Sequence, residues 1–460
     1  MGKTIDQALQ AAKRLHFIGI GGSGMCPLVE ILHKEGYVIS GSDNNESETL
    51  ARVKALGVSV YMGQRAENIE GAQMIVYTAA LLADNPELVA AKESGIPTFE
   101  RAVLLGAVTR RYGNCLCVGG THGKTTTTAM LTQIMITAGL SPTAVIGGRL
   151  PLTGSNGLVG ESEHMVCEAC EFQDHILELS PDVAILLNVD EDHMEYFKTL
   201  KNLMATFRKF AQKATKAVIY NGDDPNTLLT LDGMKRKKMI SFGRSEENIF
   251  RAQNVRMDGA FASYDLYYHG EFLTDIKLRV PGEHNIGNSL AAVAAAMLSG
   301  ASILDCERGL AEFRGAGRRF EMLGTYGGVT VADDYAHHPK ELEVALTAAR
   351  RMPYKRVWAV FQPFTFSRTA LLLDDFAKAL SLADHVVMTK IMGAREVNTY
   401  GITTAQLAEK LPGSVWFEEF AEVADYVAAH AQDGDLVLTL GCGDIYKAAH
   451  LLIAQLTMNN

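Results

Sequence analysis

The sequence predicts an α/β protein of several domains, and three observations lead to this prediction. The chain has 460 residues, which is too long for one typical core and indicates two to four domains. Apolar runs of strand length alternate with helical patterns along most of the chain, as in sheets with parallel strands. Two glycine-rich turns, at 19–24 and 119–123, each follow an apolar run and open a helix. Turns of that kind bind phosphate groups through backbone N–H groups.

The composition is that of a globular enzyme and argues against several other classes of protein. Hydrophobic residues make up 47% of the chain and charged residues 21%, and the net charge of −10 gives no basic footprint for nucleic acid. The one dense basic run, at 235–238, is expected to be a solvated turn. No apolar run reaches the roughly 18 residues that span a bilayer, and the N-terminus lacks a signal-peptide pattern. We therefore expect no nucleic-acid and no membrane partner.

The cysteines indicate a reducing compartment. There are seven, which is an odd count, and their spacing does not indicate a disulfide framework. Cys167 and Cys170 form a C-x-x-C, but no second pair of cysteines or histidines at zinc spacing accompanies it. The sequence therefore predicts reduced thiols and a cytoplasmic protein.

The first predicted domain contains a dinucleotide-binding fingerprint. Its elements are strands at 15–20, 37–40 and 74–77, a helix at about 25–35, and a linker at 109–113 after the domain ends near residue 108. Residues 19–24 form a complete G-x-G-x-x-G, and Asp43 lies 19 positions beyond Gly24, where it could bind a ribose hydroxyl. Ser42 and Thr78 follow strands at the same sheet edge. The pattern fits a nicotinamide-dependent dehydrogenase, but any pyrophosphate suits a glycine turn at a helix N-terminus.

The second predicted domain begins with a phosphate loop. An apolar strand at 115–118 and a helix at 129–140 enclose a turn that ends in Gly123, Lys124 and Thr125. The spacing is shorter than the standard Walker pattern, because Gly119 leaves three residues rather than four before the Gly-Lys-Thr. Lys124 would bring a positive charge to the transferring phosphate, and the Thr125 hydroxyl could bind Mg²⁺. The loop predicts a site for a nucleoside triphosphate.

Two further strands of this domain end in carboxylates. The strand at 164–167 is followed by Glu168 and Glu171, and the strand at 183–187 is followed by acidic residues and His193. Since parallel strands end on the same edge of a sheet, we expect these groups near the phosphate loop. Carboxylates with a neutral imidazole suit a hard divalent cation held partly by substrate phosphates.

The rest of the chain predicts a change of pattern and then a second doubly wound sheet. Short strands and one helix come first, at 217–220, 238–240, 266–268, 277–280 and 289–299. Asn285 and Asn288 precede that helix and could bind an adenine edge or cap the helix. Strands and helices then alternate, at 329–332, 341–350, 357–362, 369–382, 385–389 and 436–439.

Taken in order, these motifs resemble those of the Mur ligases, the ATP-dependent family that adds amino acids to the peptidoglycan precursor. The resemblance covers essentially the whole chain. It rests on Gly120-Thr121-His122-Gly123-Lys124-Thr125, Asn188 with Glu191-Asp192-His193, His284-Asn285 with Asn288, Arg318-Arg319-Phe320, and Asp333-Asp334-Tyr335-Ala336-His337-His338-Pro339. It implies three α/β domains: a Rossmann-like UDP-sugar domain at 1–108, a central P-loop ATPase-type domain at 109–318, and a Rossmann-like amino-acid domain at 319–460.

The resemblance also implies a reaction. The first glycine turn and the Asp-Asp-Tyr-Ala-His-His-Pro stretch are most similar to those of the members that attach L-alanine. Such an enzyme joins L-alanine to the lactyl carboxylate of UDP-N-acetylmuramate through an acyl phosphate and releases ADP and phosphate. It would use ATP with Mg²⁺, or Mn²⁺ in its place, and act as a monomer or weak homodimer. On this interpretation the first glycine turn holds the pyrophosphate of the UDP-sugar.

Site residues follow from the resemblance by position. The UDP-sugar would contact Gly21, Gly22, Ser23, Gly24, Met25, Ser42, Asp43 and Thr78. ATP would contact Gly120, Thr121, His122, Gly123, Lys124, Thr125, Thr126, Asn288, Arg319 and Asp334. The metal ligands would be Thr125, Glu168 and His193, and the amino acid would meet Tyr335, His337 and Arg368. The catalytic groups would be Lys124, Glu168, His193, Arg319 and His337, with His338 an alternative to His337 as the base.

Departures from the family pattern and alternative functions accompany this interpretation. Cys170 stands where many relatives have Asp, and Thr365 stands where many have Arg, so one carboxylate clamp is missing or supplied elsewhere. One alternative is the recycling ligase, which attaches a preformed tripeptide to the same UDP-sugar. The dehydrogenase would leave Lys124, His193 and Arg319 without a role. A non-catalytic nucleotide-dependent switch would bind ATP without amino-acid-dependent turnover.

Overall fold

The computed structural model describes residues 4–234, 238–394 and 396–458, so residues 235–237 of the predicted basic turn lie outside it. The chain forms three sheets and confirms the predicted α/β class. It divides into two compact units, each assembled from three segments. The first unit comprises Met1–Asn254, Tyr264–Ile276 and Ile286–Phe313, and the second comprises Val255–Ser263, Lys277–Asn285 and Arg314–Asn460.

The N-terminal sheet is parallel, with strand order β3-β2-β1-β4-β5. Its strands are β1 Arg14–Ile18, β2 Val38–Asp43, β3 Ser59–Met62, β4 Met74–Tyr77 and β5 Thr98–Glu100. Its helices are α1 Ile5–Ala11, α2 Cys26–Lys34, α3 Glu48–Ala55, α4 Pro86–Glu93 and α5 Arg101–Thr109, with a short 3₁₀ turn at Ala66–Ile69. The glycine turn lies between β1 and α2, at the carboxyl edge of the sheet where ligands bind in such folds.

The central sheet has ten strands in the order β15-β14-β13-β12-β11-β10-β6-β9-β7-β8. They are β6 Asn114–Gly119, β7 Thr143–Leu150, β8 Ser155–Leu158, β9 His164–Glu168, β10 Val183–Leu186, β11 Ala217–Asn221, β12 Lys238–Gly243, β13 Phe250–Asp258, β14 Phe261–Tyr268 and β15 Glu271–Pro281. The helices are α6 Lys124–Thr137, α7 Met194–Phe197, α8 Leu200–Lys213, α9 Pro225–Leu231, α10 Asn285–Leu298 and α11 Ile303–Glu312, with a 3₁₀ segment at Phe172–Glu178. Strand β6 lies between β10 and β9 and is parallel to both, so the three carboxyl ends meet at one edge.

The C-terminal sheet has the strand order β16-β17-β21-β18-β19-β20, and only β16 is antiparallel to its neighbour. Its strands are β16 Glu321–Tyr326, β17 Val329–Asp334, β18 Val357–Phe361, β19 His385–Thr389, β20 Val415–Phe417 and β21 Leu436–Leu440. Its helices are α12 Pro339–Arg350, α13 Phe366–Leu371, α14 Leu373–Leu380, α15 Thr404–Glu409, α16 Phe420–His430 and α17 Tyr446–Met458. The adjacent ends of β17, β21 and β18 therefore carry the loops after residues 334, 440 and 361.

Helix boundaries are where the sequence-based prediction was wrong. Helix α6 begins at Lys124 rather than at residue 129. Threonine usually weakens a helix, but here the Thr128 and Thr132 hydroxyls donate to carbonyls one turn earlier, each at 2.8 Å. The helix predicted at 369–382 is two helices, because Leu372 leaves helical geometry between α13 and α14.

One hydrophobic core underlies the first two predicted domains. Leu104 and Val108 of α5 belong to the same buried cluster as Ile176 and Leu179 of the central domain. Gly106 faces the Glu178 carbonyl so closely that a Cβ there would overlap it. All seven cysteines are free. Among the residues that the structure describes, no helix is long and apolar enough to cross a membrane.

Candidate active site

The phosphate loop is held in shape by the segment that follows β10. The Asn188 side chain accepts the N–H of His122 at 2.8 Å and donates to its carbonyl at 3.0 Å. The Asn188 carbonyl accepts the N–H of Thr121 at 3.1 Å. The loop ends at Gly123, which caps α6 with φ +85°, a conformation that favours glycine. As in any helix, the first N–H groups of α6 lack intrahelical partners and can bind phosphate.

Lys124 is anchored inside this loop. Its Nζ donates to the carbonyls of Gly120 and Thr121, at 2.6 and 2.9 Å, and to Glu171 at 3.0 Å. Glu171 is 1% exposed. Burial lowers the pKa of Lys124, but Glu171, Cys170 and Glu168 together outweigh burial, so the pKa is raised. The ammonium is therefore charged and lies at the loop where phosphates would bind.

Thr125 and Glu168 are brought together as predicted. The Thr125 hydroxyl donates to Glu168 Oε1 at 2.9 Å, and the N–H of Gly147 in β7 donates to Glu168 Oε2 at 2.6 Å. Thr126 lies beside them in the first turn of α6. The pairing fixes a carboxylate and a hydroxyl at the mouth of the phosphate loop, and both are hard oxygen donors.

His193, the third predicted metal ligand, contacts different residues from those that Thr125 and Glu168 contact. It precedes α7 with φ +55°, and its ring packs on Phe172 with centroids 4.8 Å apart. Its Nδ1 lies 3.4 Å from Glu195, and its Nε2 lies 3.8 Å from Asp192. Burial lowers the pKa of His193, but the carboxylates of Glu195, Asp192 and Glu171 together outweigh burial and raise it.

The donor set suits Mg²⁺ in part. Thr125 and Glu168 supply oxygen ligands, which Mg²⁺ prefers, and Mg²⁺ commonly takes its other ligands from water and substrate phosphates. Within the described ranges, the structure contains no group of three or more His, Cys, Asp and Glu side chains that could hold a metal ion. The pair of Thr125 and Glu168 therefore fits this cation with few protein ligands.

Asn288 lies against the phosphate loop. A Cβ on Gly123 would overlap the Asn288 side-chain oxygen. Asn288 is 7% exposed. Asn285 instead donates its side-chain N–H to the Pro281 carbonyl at 2.8 Å, as expected of a residue that fixes the start of a helix.

The first glycine turn is shaped by the ends of β2 and β4. Asp43 Oδ2 accepts the N–H of Gly21 at 2.9 Å. Ser42 is fully buried, and its carbonyl accepts the N–H groups of Gly19 and Ile20 at 2.8 and 3.0 Å. Gly19 has φ +82°, and a Cβ there would lie 2.6 Å from the Thr78 methyl group. Asp43, Ser42 and Thr78 thus support the turn itself.

The remaining residues of the turn lead into α2. The N–H of Gly22 donates to the Gly19 carbonyl at 3.2 Å, and the N–H of Met25 donates to the Gly22 carbonyl at 2.9 Å. Met25 is the N-cap residue of α2 and is 1% exposed. Ser23 and Gly24 lie between these contacts and face a cavity.

That cavity extends from the first glycine turn to Glu168, whose carboxylate accepts the Thr125 hydroxyl. It has a volume of about 260 Å³. Ser23 and Gly24 of the first turn line it on one side, and Gly147, Glu168 and Cys170 of the central domain line it on the other. A substrate that extends from the first turn can therefore reach the carboxylate beside the phosphate loop.

In the second unit, Arg318, Arg319 and Asp334 form a compact polar cluster. Arg318 donates to Asp333 at 2.8 Å and to the carbonyls of Gly441 and Gly443. Both Asp334 oxygens accept backbone N–H groups, from Phe320 and Ala336, each at 2.7 Å. Burial raises the pKa of Asp334 to about 6, with the Arg319 charge opposing it. Asp334 thus holds the turn that carries Arg319.

Tyr335 and His337 meet at the end of β17, with rings 5.6 Å apart in an edge-on arrangement. His337 Nδ1 lies 3.0 Å from the Tyr335 carbonyl. Since a carbonyl can only accept, Nδ1 carries the proton and Nε2 is the nitrogen that can take up another. His338 caps α12, because its Nδ1 accepts the N–H of Lys340 at 3.4 Å. The geometry thus favours His337 over His338 as a base.

Arg368 and Cys442 complete this edge. Burial raises the pKa of Cys442 to about 12, and the positive charge of Arg368 opposes the rise. Thr365 caps α13 by accepting the N–H of Arg368 at 3.3 Å. Thr365 therefore orients the helix that carries Arg368 and supplies no charge of its own.

Sequence reasoning missed three residues of the site. Glu171 was noted after β9, but its pairing with Lys124 depends on how β9 and β6 lie side by side. Gly147 and Arg101 are part of no recognisable motif. They line the cavity because the fold places β7, which carries Gly147, and α5, which carries Arg101, next to it.

Three family models match the chain over most of its length. These are "Mur ligase family, catalytic domain" over residues 14–113, "Mur ligase middle domain" over 118–296, and "Mur ligase, glutamate ligase domain" over 318–443.

Individual relatives match over nearly the whole length. The UDP-N-acetylmuramate--L-alanine ligases of Caldanaerobacter subterraneus subsp. tengcongensis and Acetivibrio thermocellus are each 40% identical over 454 residues, which is 97% of this chain and 98% and 97% of the relatives. The crystal structure of the UDP-N-acetylmuramate-alanine ligase from Thermotoga maritima aligns with a TM-score of 0.84 at 27% identity, over 97% of this chain and 100% of that one. A murein peptide ligase from Psychrobacter arcticus shares the fold, with a TM-score of 0.78 at 21% identity over 97% and 99%.

Proposed function

The chain belongs to the Mur ligase family, and on that premise we propose that it joins L-alanine to the lactyl carboxylate of UDP-N-acetylmuramate, with ATP consumed and ADP and phosphate released. The observation that carries the proposal is the cavity that the first glycine turn and Glu168 both line. It lets one substrate lie on the first turn while its far end reaches Glu168 beside the phosphate loop. A dehydrogenase would need only the first turn, and the phosphate loop would have no role in its reaction.

The chemistry explains why ATP is needed. A carboxylate does not react with an amine at neutral pH, because oxide is a very poor leaving group. A lactyl carboxylate oxygen attacks the γ-phosphorus, the bond to the β-phosphate oxygen breaks, and ADP leaves. The amine of L-alanine then attacks the acyl carbon, phosphate departs with the former carboxylate oxygen, and an amide remains. Phosphoryl transfer of this kind asks the protein mainly for positioning and charge neutralisation.

Lys124 supplies the neutralising charge in the phosphoryl step. Two anions, the lactyl carboxylate and the γ-phosphate, must approach each other, and the ammonium offsets their repulsion. The Lys124 Nζ donates to two loop carbonyls and to Glu171, so the ammonium is held at the loop where the phosphates would bind. Mg²⁺ (or Mn²⁺) would neutralise further phosphate charge. Thr125 and Glu168 would hold it, and His193 is the third ligand that the family resemblance implies.

The nucleotides are assigned to the two turns. The pyrophosphate of the UDP-sugar binds the first turn, with contacts from Gly21, Gly22, Ser23, Gly24, Met25, Ser42, Asp43 and Thr78. ATP binds the phosphate loop, with contacts from Gly120, Thr121, His122, Gly123, Lys124, Thr125, Thr126, Asn288, Arg319 and Asp334. The proximity of Asn288 to Gly123 supports a place for it near the nucleotide.

The amino acid is assigned to the second unit. Tyr335, His337 and Arg368 follow the carboxyl ends of β17 and β18, which both neighbour β21. The Arg368 guanidinium would bind the carboxylate of L-alanine, since a planar fork suits that group. His337 Nε2 would take the proton that the attacking amine loses.

Three broader assignments complete the proposal. The domain boundaries are those of the sequence analysis, at 1–108, 109–318 and 319–460. The substrates are small molecules, and the chain acts as a monomer or weak homodimer. The enzyme works in the cytoplasm, where ATP is available and where the seven free cysteines would stay reduced.

The test is release of phosphate from MgATP with UDP-N-acetylmuramate and one amine at a time: L-alanine, glycine, L-serine or the tripeptide. We expect L-alanine to stimulate release most, and Lys124→Ala to lower the rate by at least about 100-fold. Stimulation by the tripeptide alone would instead assign the chain to the recycling ligases. Release with no amine would contradict the proposal.

A further inference from the structure

Arg101 lines the cavity and has no role in the reaction described so far. It is the first residue of α5, directly after β5. Its Cδ, Nε and Cζ lie 3.2, 3.3 and 3.4 Å from where a Cβ on Gly24 would be. The guanidinium therefore packs against the last glycine of the first turn, and a side chain at Gly24 would crowd it.

No residue that the structure describes neutralises the Arg101 guanidinium. In the part of the chain that the structure describes, Arg101 has neither a hydrogen bond nor an ion pair. The neighbouring carboxylates have other partners: Glu100 lies 2.9 Å from His175 Nε2, and both Glu168 oxygens accept hydrogen bonds from Thr125 and Gly147. A half-buried guanidinium without a counter-ion is costly unless a ligand supplies one.

Two backbone donors share the same cavity wall. Most N–H groups of the first turn are used within it: Gly21 donates to Asp43, and Gly22 and Met25 donate to carbonyls of the turn. Among the described residues, the N–H groups of Ser23 and Gly24 have no acceptor. The N–H groups of Ser23 and Gly24 and the guanidinium of Arg101 are therefore donors that belong to one cavity lining, at the N-terminus of α2.

We propose that Arg101 binds the pyrophosphate of the nucleotide sugar, together with the N–H groups of Ser23 and Gly24. The inference rests on the proposed function and adds to it a binding residue outside the motifs. A helix N-terminus attracts anions, and a guanidinium fork matches two phosphate oxygens at once. Of the two anionic parts of the sugar nucleotide, the pyrophosphate is the one that lies at the turn, whereas the lactyl carboxylate must reach the phosphate loop.

Calorimetric titration of Arg101→Gln with three ligands tests this proposal. UDP-N-acetylmuramate carries pyrophosphate and carboxylate, UDP-N-acetylglucosamine carries pyrophosphate alone, and uridine carries neither. We expect the variant to bind both UDP-sugars roughly 10- to 100-fold more weakly, by a similar factor, and uridine as well as the wild type does. Arg101→Lys should recover part of the loss, because it keeps the charge without the fork.

The matched control is Arg110→Gln, which removes an arginine at the other end of α5 that pairs with Asp6 on the surface. It should bind all three ligands normally, and thermal unfolding should show both variants folded. A loss confined to UDP-N-acetylmuramate would mean that Arg101 contacts the carboxylate, and an equal loss for uridine would mean a structural role; either result overturns the proposal. So would unchanged binding. If the wild type itself fails to bind UDP-N-acetylmuramate, the proposed function fails with it.

Discussion

Glu168 is positioned as much by a glycine as by its own strand. The N–H of Gly147 donates to one carboxylate oxygen at 2.6 Å, and a Cβ on Gly147 would lie 2.5 Å from both oxygens. Only glycine allows this approach. The carboxylate is thereby turned toward the Thr125 hydroxyl, which donates to its other oxygen.

Gly147→Ala should therefore weaken magnesium binding. The added methyl group forces the Glu168 carboxylate to shift, so the Mg²⁺ concentration for half-maximal phosphate release should rise roughly 10- to 100-fold. A magnesium titration of the activity measures this. Gly57→Ala is the control: its φ of +82° strains an alanine and should lower stability, but a Cβ there would meet no atom within 4 Å, so the magnesium requirement should stay unchanged. An unaltered requirement in Gly147→Ala would argue against Glu168 as a ligand.

Among single residues, the sequence predicts the site residues that belong to one continuous motif. It does not predict site residues that are far apart in the chain and come into contact only in the folded structure. Lys124 and Thr125 follow from the Gly-Lys-Thr turn, since the loop and the helix start are contiguous in the chain. The contact between Glu171 and Lys124 joins residues 47 positions apart, and Arg101 meets Gly24 across the first domain. Such contacts depend on strand order, which no single stretch of sequence encodes.

The junction between β6 and α6 is the element that binds ATP in this account. Gly123 has φ +85°, and a Cβ there would overlap the Asn288 side chain. Gly123→Ala should therefore have two effects: the positive φ should distort the start of α6, and the added methyl group should displace the Asn288 side chain.

We expect Gly123→Ala to weaken ATP binding by at least about tenfold while UDP-N-acetylmuramate binds normally, because the first turn is a separate element. Binding of a fluorescent ATP analogue, with calorimetry for the sugar nucleotide, measures both. Wild-type affinity for ATP would contradict the assignment of this junction.

Asp435 is the buried anchor of β21 and β18. It accepts from Arg356 at 2.9 and 2.6 Å, from Trp358 Nε1 at 3.0 Å and from the N–H of Gln432 at 2.9 Å. Burial acts to raise the pKa of Asp435, but these donors outweigh burial and hold it below the usual 3.8. A depressed carboxyl pKa stabilises the fold above the unfolded-state pKa and loses that contribution as the pH falls through the folded-state value.

Asp435→Asn should accordingly lower the free energy of unfolding at pH 7 by roughly 1.5–3 kcal/mol. The difference from the wild type should shrink as the pH falls below 3.8, because the wild-type carboxyl then protonates as well. Urea unfolding followed by tryptophan fluorescence measures this, since Trp358 and Trp416 both lie in the second unit. A difference that stays constant down to pH 3 would contradict the charge argument.

Elements were predictable where the pattern was strong and local. Strands β4 and β19 lie at their predicted residues, because each is a short apolar run bounded by turn signals. The early start of α6 was missed, because threonine discourages a helix unless its hydroxyl finds a carbonyl one turn back. Short edge strands such as β5 and β20 were missed because three residues carry too little periodicity.

At the scale of the whole molecule, the first two predicted domains share one core. Leu104, Leu105 and Val108 of α5 pack in the same cluster as residues of the central domain. The length and the motifs indicated separate domains, and they could not show that an apolar face of α5 is buried against a neighbouring sheet. The first unit should therefore unfold as one body.

Gly106→Val tests this directly. Its side chain would meet the Glu178 carbonyl, so the first unit should lose roughly 1–3 kcal/mol of stability. The midpoint of thermal unfolding by circular dichroism should fall, and the tryptophan-detected midpoint, which reports only the second unit, should not. Equal shifts in both signals would mean that the two units unfold together.

The most direct test of the account follows an oxygen atom. UDP-N-acetylmuramate labelled with ¹⁸O in its lactyl carboxylate is incubated with ATP, Mg²⁺ and L-alanine, and the released phosphate is analysed by mass spectrometry. Attack of the carboxylate on the γ-phosphorus predicts one ¹⁸O atom in each phosphate and UDP-N-acetylmuramoyl-L-alanine as the product. Unlabelled phosphate, or label recovered in AMP, would contradict the acyl-phosphate mechanism.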